Sequence, residues 1–397
     1  MTRVDSVHDA AVMEDPAGSS RRGPHLGRVE TMFIRERAQR GPRFRRLAAF
    51  GLAAAVASCD SGSDAPSPTV PPPSPAPPPA PDPMEARCTE EGRILEYGFF
   101  AHFEPISYTA EPDPGAEAID GHLGYEADLL TALEAMEGAG LAFDRRGIDV
   151  WPGIWLLPST PEYDVVGGGI TILEERTLDA SGTPAISFTS GHVEFGHSLL
   201  VRATDAGTLA EYSDLTGDHR VGVSAETTNE ARFLQIVGLI DEDGVVLART
   251  RITTPGGIEV ADGSDAYRIA ASGSSPNLAD RMHLEPPSPE LPQVVFFGTD
   301  TVQTEQPEAL ADGRVDALAG DKIANSTLEQ MWAGVLVVTA VDTLVDLGGF
   351  ALDRDEEALL ACLDDKVNYL TDERSIGFAE WLANPAVFQE RAEAWTP

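Results

Sequence analysis

Residues 163–176 read YDVVGGGITILEER, and this stretch decides the fold that the sequence predicts. Val165 and Val166 form an apolar run that indicates a buried strand, and three glycines follow it. Two glutamates then precede Arg176, as is typical of a helix start. Ligands of open α/β sheets bind at the carboxyl ends of strands, where glycine allows close approach to the backbone. The stretch therefore predicts a ligand-binding turn with Arg176 as a carboxylate fork; the alternative is a plain strand, a glycine turn and a surface arginine.

Strand and helix patterns alternate along the rest of the chain, which predicts an α/β fold with parallel strand pairing. Residues 241–292 differ, because they are rich in Gly, Ser, Pro and Asp and predict a loop-rich insertion. The predicted strands are 94–100, 148–151, 165–172, 198–201 and 220–223, the predicted helices are 128–136, 356–370 and 376–381, and residues 309–318 predict a helix followed by a strand.

Composition excludes several classes of function. The 397 residues carry a net charge of −37, a surface that repels nucleic acid. The eight histidines are scattered, and His192 and His197 lack the spacing of a helical zinc pair. The glycine stretch lacks the lysine of a phosphate loop, and no Gly-x-Ser-x-Gly elbow occurs. We therefore expect no metal site, no cofactor and no nucleic-acid partner.

The N-terminal region predicts export. Arg43, Arg45 and Arg46 precede the uncharged run 47–57, which has the length of a signal-peptide core. The run ends in Val-Ala-Ser before Cys59, a pattern that resembles the lipobox of bacterial lipoproteins. We expect 1–58 to be an N-terminal extension with a signal peptide, Cys59 to be lipidated, and the proline-rich segment 59–87 to be a membrane tether. The alternative is an apolar run that happens to precede a cysteine.

Two further cysteines, Cys88 and Cys362, lie in the part predicted to be secreted, where disulfides persist. We expect them to pair and to tie the start of the folded region to its C-terminal part. The alternative is two buried free thiols.

The folded part resembles the amino-acid type of periplasmic solute-binding protein, family 3 of that superfamily. Two positions depart from the family pattern: Glu226 stands where the family has Gly, and Leu173 where it prefers Thr. More chain also separates Thr228 from Asp321 than is usual. The segments that carry the resemblance are FEPISY at 103–108, GYEADL at 124–129, WPGI at 151–154, the stretch 164–176, VGV at 221–223, TTNE at 227–230, DGRVDA at 312–317, GD at 320–321 and GFAL at 349–352.

The resemblance implies a type II periplasmic-binding-protein fold, with two α/β lobes joined by two hinge strands. Residues 88–200 and 345–397 would form the first lobe, and 201–344 the second, which would carry the insertion. The chain would cross between lobes near 198–202 and return near 345–351.

The resemblance also implies a clamp for an amino acid. Arg176 would hold the carboxylate, and Asp321 would accept from the ammonium. Glu104 would select a cationic or hydroxylated side chain, or else is a solvated turn acid. Asp321 and Thr228 are alternatively helix caps, and the aromatic residues alternatively core. The supporting groups would be hydroxyls, a carbonyl and two aromatic walls: Thr171, Thr228, Gly169, Phe103 and Trp151.

The implied function is capture of an amino acid or related small polar solute for an ABC importer. The protein would be a monomer outside the cytoplasm, held to a membrane by its lipid, with the transporter permease as partner and no catalytic residue. One alternative is an enzyme similar to the cyclohexadienyl (prephenate or arogenate) dehydratases, in which Glu104, Glu226 or Asp321 would be the general acid. A ligand-sensing module is another.

Overall fold

The computed structural model describes residues 87–90, 92–110 and 121–397. The predicted signal peptide, the lipidation site Cys59 and nearly all of the proline-rich tether lie outside the described residues. Within those ranges, no helix is both long enough and apolar enough to cross a bilayer.

The described chain contains strands and helices in alternation. The strands are β1 Leu95–Phe100, β2 His102–Phe103, β3 Ser107–Thr109, β4 His122–Leu123, β5 Phe143–Ile148, β6 Val165–Gly167, β7 Ile186–Phe188, β8 Val193–Arg202, β9 Arg220–Ser224, β10 Arg251–Thr254, β11 Gly257–Val260, β12 His283–Glu285, β13 Gln293–Phe297, β14 Ala317–Asp321, β15 Leu336–Gly348 and β16 Ala351–Asp353. The helices are α1 Tyr125–Ala135, α2 Thr228–Ile236, α3 Glu305–Ala311, α4 Lys322–Met331, α5 Glu357–Leu370, α6 Phe378–Ala383 and α7 Val387–Ala394.

The first lobe is built on a five-stranded sheet with the order β5-β1-β6-β16-β7. Strands β5, β1 and β6 are parallel, and β16 runs antiparallel to β6 and β7. Helix α1 begins after Gly124 with two acids in its first turn, where the helix dipole favours negative charge. Its buried Leu129 and Leu133 pack in one core with Tyr97 and Phe350, which joins α1, α5 and α7 to the sheet.

The second lobe is built on an eight-stranded sheet with the order β11-β10-β12-β13-β9-β14-β8-β15. Strands β13, β9 and β14 are parallel at its centre. The segment 241–292, predicted to be rich in loops, supplies β10, β11 and β12, which extend one edge of the sheet. A fully buried ion pair holds this segment to α2. In it, Arg281 donates to both carboxylate oxygens of Glu230 at 2.6 and 2.5 Å.

Two long strands connect the lobes. β8 and β15 pair antiparallel along most of their lengths. Val193 and Phe195 of β8 belong to the core of the first lobe, whereas Leu199 and Val201 belong to that of the second. The chain thus changes lobe between Phe195 and Leu199. The molecule is an α/β protein of two lobes joined by two strands, as the sequence predicts.

Two predicted strands are wrong in extent. The strand predicted at 148–151 is instead the end of β5, because the chain turns through Pro152 and Gly153 into a short 3₁₀ helix. The strand predicted at 165–172 stops at Gly167. The strand ends there because Gly168 and Gly169 follow with φ angles of 116° and 77°, which an extended strand does not adopt.

Cys88 and Cys362 form a disulfide with Cα atoms 5.3 Å apart. It joins the segment before β1 to helix α5, so both of its ends lie in the first lobe.

Candidate functional site

A cavity lies between the lobes, bounded by the ends of β6, β9 and β14 and by the starts of α2 and α4. The cavity has a volume of about 90 Å³ and is partly open to solvent. The first lobe contributes Phe100, His102, Phe103, Trp151, Gly169 and Thr171, the connecting strand β8 contributes Phe195, and the second lobe contributes Ser224, Thr227, Thr228, Asn229, Thr299, Val302, Gln306, Leu318, Ala319, Gly320, Asp321, Ala324 and Asn325.

The glycine turn forms part of this wall, but its backbone donors are already occupied. The N–H groups of Gly168 and Gly169 donate to the carboxylate of Glu126 at 2.6 and 3.0 Å. Glu126 is fully buried in α1, and His192 Nε2 lies 3.2 Å from its Oε1. At Gly167 a Cβ would stand 2.0 Å from Tyr97 Oη, so only glycine fits there. The turn therefore fastens β6 to α1 and leaves these two amides unavailable to a ligand anion.

Arg176 is fully buried and is not among the residues that line the cavity. Its Nε and Nη2 donate to the carbonyl of Ala271 at 3.2 and 3.0 Å, and Nη1 donates to the carbonyl of Thr171 at 3.1 Å. The guanidinium also lies 4.3 Å from the ring centroid of Trp155. Burial lowers the pKa of Arg176 to about 9. Because Ala271 belongs to the insertion, the predicted carboxylate fork joins the two lobes through a backbone carbonyl.

Asp321 stands at the junction of β14 and α4, inside the cavity. Its Oδ1 caps α4 by accepting from the N–H groups of Ile323 and Ala324 at 2.7 and 3.3 Å. Its Oδ2 is buried and has no hydrogen-bond partner. Burial raises the pKa of Asp321 to about 7. The residue is thus a helix cap, the alternative that the sequence left open, and it also lines the cavity and has one buried oxygen without a partner.

Hydroxyl and indole groups join the lobes across the cavity. Thr171 Oγ1 lies 3.4 Å from Thr228 Oγ1, and Trp151 Nε1 donates to the carbonyl of Glu226 at 3.1 Å. Glu226 has a φ of 59°, a left-handed conformation. It stands where the pattern of the resembled family has Gly, and glycine would adopt this φ more readily.

Aromatic rings form much of the cavity wall. The rings of Phe100 and Trp151 are 5.0 Å apart in an edge-to-face arrangement, and those of Phe103 and Phe195 are 5.7 Å apart. Trp151 packs in a core cluster as well as lining the cavity, so the alternatives of wall and core are both met.

Glu104 is the second predicted site residue that does not line the cavity. Its peptide bond to Pro105 is cis, and its carbonyl accepts from Gln303 Nε2 at 3.3 Å. The contact with the second lobe is thus made by the backbone of this residue.

Several lining residues were not predicted. His102 precedes Phe103, and its Nε2 lies 2.6 Å from Asp149 Oδ1. Asn325 stands four residues after Asp321, one turn along α4, and donates to Ser198 Oγ at 2.9 Å. Its helical spacing was the available signal. Gln306 comes from α3, and nothing in the sequence points to it. Within the part of the chain that the structure describes, no three His, Cys, Asp or Glu side chains are grouped to hold a metal ion.

No protein-family model matches the chain, and no curated protein sequence does. Among solved structures, an ancestral arginine-binding protein bound to arginine is 17% identical, with 77% of this chain and 98% of that chain covered and a TM-score of 0.46. The arginine-, lysine-, histidine-binding protein ArtJ from Geobacillus stearothermophilus is 19% identical, with coverages of 76% and 95% and a TM-score of 0.45. The ancestral amino acid-binding protein AncCDT-1, a precursor of cyclohexadienyl dehydratase, is 18% identical, with coverages of 77% and 96% and a TM-score of 0.45. All three of these solved structures are named as amino-acid-binding proteins.

Proposed function

We propose that this protein is a solute-binding protein that captures an amino acid or a related small polar solute between its two lobes. The observation that carries the proposal is Asp321, which lines the cavity between the two lobes and whose Oδ2 is buried without a partner. A buried charge that lacks a partner is costly, and an ammonium group on a ligand would remove that cost.

The remaining cavity groups suit a small polar ligand. Thr171 and Thr228 supply hydroxyls from opposite lobes, and the first turn of α2 favours a negative group. Gly169 supplies a carbonyl, while Phe103 and Trp151 supply apolar walls. Because the ligand would touch both lobes, it would bind the closed arrangement more tightly than the open one and shift the population toward closure.

In this proposal Arg176 can bind the ligand only if its present hydrogen bonds to the insertion break. It would hold a ligand carboxylate, as the sequence predicts, only after exchanging its hydrogen bonds to Ala271 for bonds to the ligand.

The proposed setting lies outside the cytoplasm. The basic and apolar pattern at 43–59 supports export and a lipid anchor on Cys59, and the Cys88–Cys362 disulfide suits an oxidising compartment. A monomer held to a membrane in this way would deliver its solute to the permease of an ABC importer.

A second candidate is a dehydratase-like lyase, favoured by the pKa of Asp321 at about 7. A carboxyl that keeps its proton near neutral pH is suited to general-acid catalysis. Incubation of the protein with prephenate and with arogenate, followed by detection of the aromatic product, tests it. If the protein forms the aromatic product and Asp321→Asn abolishes that activity, the dehydratase function replaces the binding function.

Calorimetric titration and thermal shift with amino acids and related polar solutes test the binding proposal directly. A ligand at about 100 times its Kd stabilises the folded state by about 2.7 kcal/mol. Asp321→Asn should abolish the shift, whereas Asp355→Asn, whose carboxylate is 93% exposed, should leave it unchanged. Equal shifts in both variants would exclude Asp321 from the site.

A further inference from the structure

The charges around the cavity are unevenly distributed. Among the described residues that line it, Asp321 is the only carboxylate, and none is Arg or Lys. His102 is the one other titratable side chain, and its Nε2 is engaged with Asp149 Oδ1 at 2.6 Å. The cavity lining therefore includes one carboxyl, which is ionised above its pKa of about 7, and neither a guanidinium nor an ammonium group. The first turn of α2 offers about half an elementary charge at most.

The guanidinium that would balance a ligand carboxylate is already bound within the protein. Arg176 directs Nε and Nη2, two of the donors with which arginine can bind a carboxylate, at the single carbonyl oxygen of Ala271. Ala271 is itself 5% exposed, and Arg176 is fully buried. The segment that carries Ala271 is fixed to the second lobe, since Arg281 further along it is buried against Glu230.

The aromatic residues of the cavity wall also favour a positively charged ligand. Phe100, Phe103, Trp151 and Phe195 line the cavity, and aromatic faces attract organic cations. A zwitterion in this cavity would have its ammonium satisfied by Asp321 and its carboxylate opposed only by hydroxyls, amides and a helix end. An amine without a carboxylate would leave no buried charge unpaired.

We propose that the ligand of this site is a small organic monocation, an amine that lacks the α-carboxylate, and that the Ala271 carbonyl occupies the place of that carboxylate at Arg176. This inference rests on the proposed binding function and narrows its ligand class. Ala271 and the insertion that carries it would then determine which ligands the site binds.

Ligands matched in size test the inference without altering the protein. Leucine, leucinamide and isoamylamine share one side chain, and only leucine carries a carboxylate. Phenylalanine, phenylalaninamide and 2-phenylethylamine form a second series. Titration calorimetry at pH 8 should show the amine binding at least about tenfold more tightly than its parent amino acid, with the amide nearer to the amine.

The outcomes separate this inference from the proposed function. If a parent amino acid binds as tightly as its amine or more tightly, the monocation inference is overturned while the binding function stands. If no amine, amide or amino acid binds, both fail. Asp321→Asn must weaken the amine by about a hundredfold or more; a smaller loss would also overturn the inference, because it would show that the amine does not pair with this carboxylate.

Discussion

Replacement of Asp321 by Asn should make the ligand-free protein more stable at pH 8 while abolishing ligand binding. Asparagine keeps the cap of α4, because its carbonyl oxygen can accept from the same two backbone N–H groups. It removes the charge on Oδ2, which is buried without a partner. Stability and function should therefore change in opposite directions at this position.

The magnitude follows from the pKa of Asp321, which rises from 3.8 to about 7 on burial. Below pH 3.8 the carboxyl is protonated in the folded and unfolded states, and its charge has no effect. Between pH 3.8 and 7 the unfolded state loses the proton first, so stability falls by about 1.4 kcal/mol per pH unit. Above pH 7 the penalty is constant at about 4 kcal/mol. The gain from Asp321→Asn should thus be about 4 kcal/mol at pH 8 and about 2 kcal/mol at pH 5.

Urea unfolding of ligand-free protein at pH 5 and pH 8 measures this difference, with Asp355→Asn as the exposed control. The signature is a gain that grows with pH in the first variant and stays near zero in the second. A gain of the same size at both pH values would refute the reasoning, because it would show that Asp321 does not carry a buried charge.

Three further changes probe the framework. Arg281→Met should lower the free energy of unfolding by about 3 to 5 kcal/mol, since it leaves Glu230 buried without its partner; a loss below about 1 kcal/mol in denaturant unfolding would contradict this. Reduction of the Cys88–Cys362 disulfide should lower stability by about 3 to 5 kcal/mol because it opens a loop spanning 274 residues, and Cys362→Ala should make the protein insensitive to reductant. Trp151→Phe should weaken ligand binding about three- to tenfold in calorimetry, as it deletes one hydrogen bond between the lobes; unchanged affinity would show that this bond does not support closure.

The fold was largely predictable from local patterns. Apolar runs such as Val165–Val166 and the leucines of α1 identify strands and helices, because burial requires a periodic apolar face. The lengths of strands were less predictable. Gly168 and Gly169 end β6 through their left-handed backbone, and a sequence does not show which glycines adopt that conformation.

The site was predictable where its chemistry is local and not where it depends on distant chain. Asp321 precedes a helix, so the sequence itself indicated a cap, whereas a position in the binding site was implied only by the family resemblance. The partner of Arg176 could not be predicted, because Ala271 lies 95 residues away in an irregular segment. The glycine amides likewise meet Glu126 from 42 and 43 residues away. Such pairings are set by packing, which no spacing in the sequence encodes.

The buried charged groups of the first-lobe turn and the cavity differ in whether they have hydrogen-bond partners, and this difference bears on the charge of the proposed ligand. Glu126 is satisfied by two glycine amides, and Arg176 by two backbone carbonyls. Asp321 is the one carboxylate among the described residues that keeps a buried oxygen without a partner. Folding alone would select against such a group, since asparagine caps α4 equally well without the charge. Under the binding proposal, a cationic ligand would give this carboxylate a partner and offset its cost in stability.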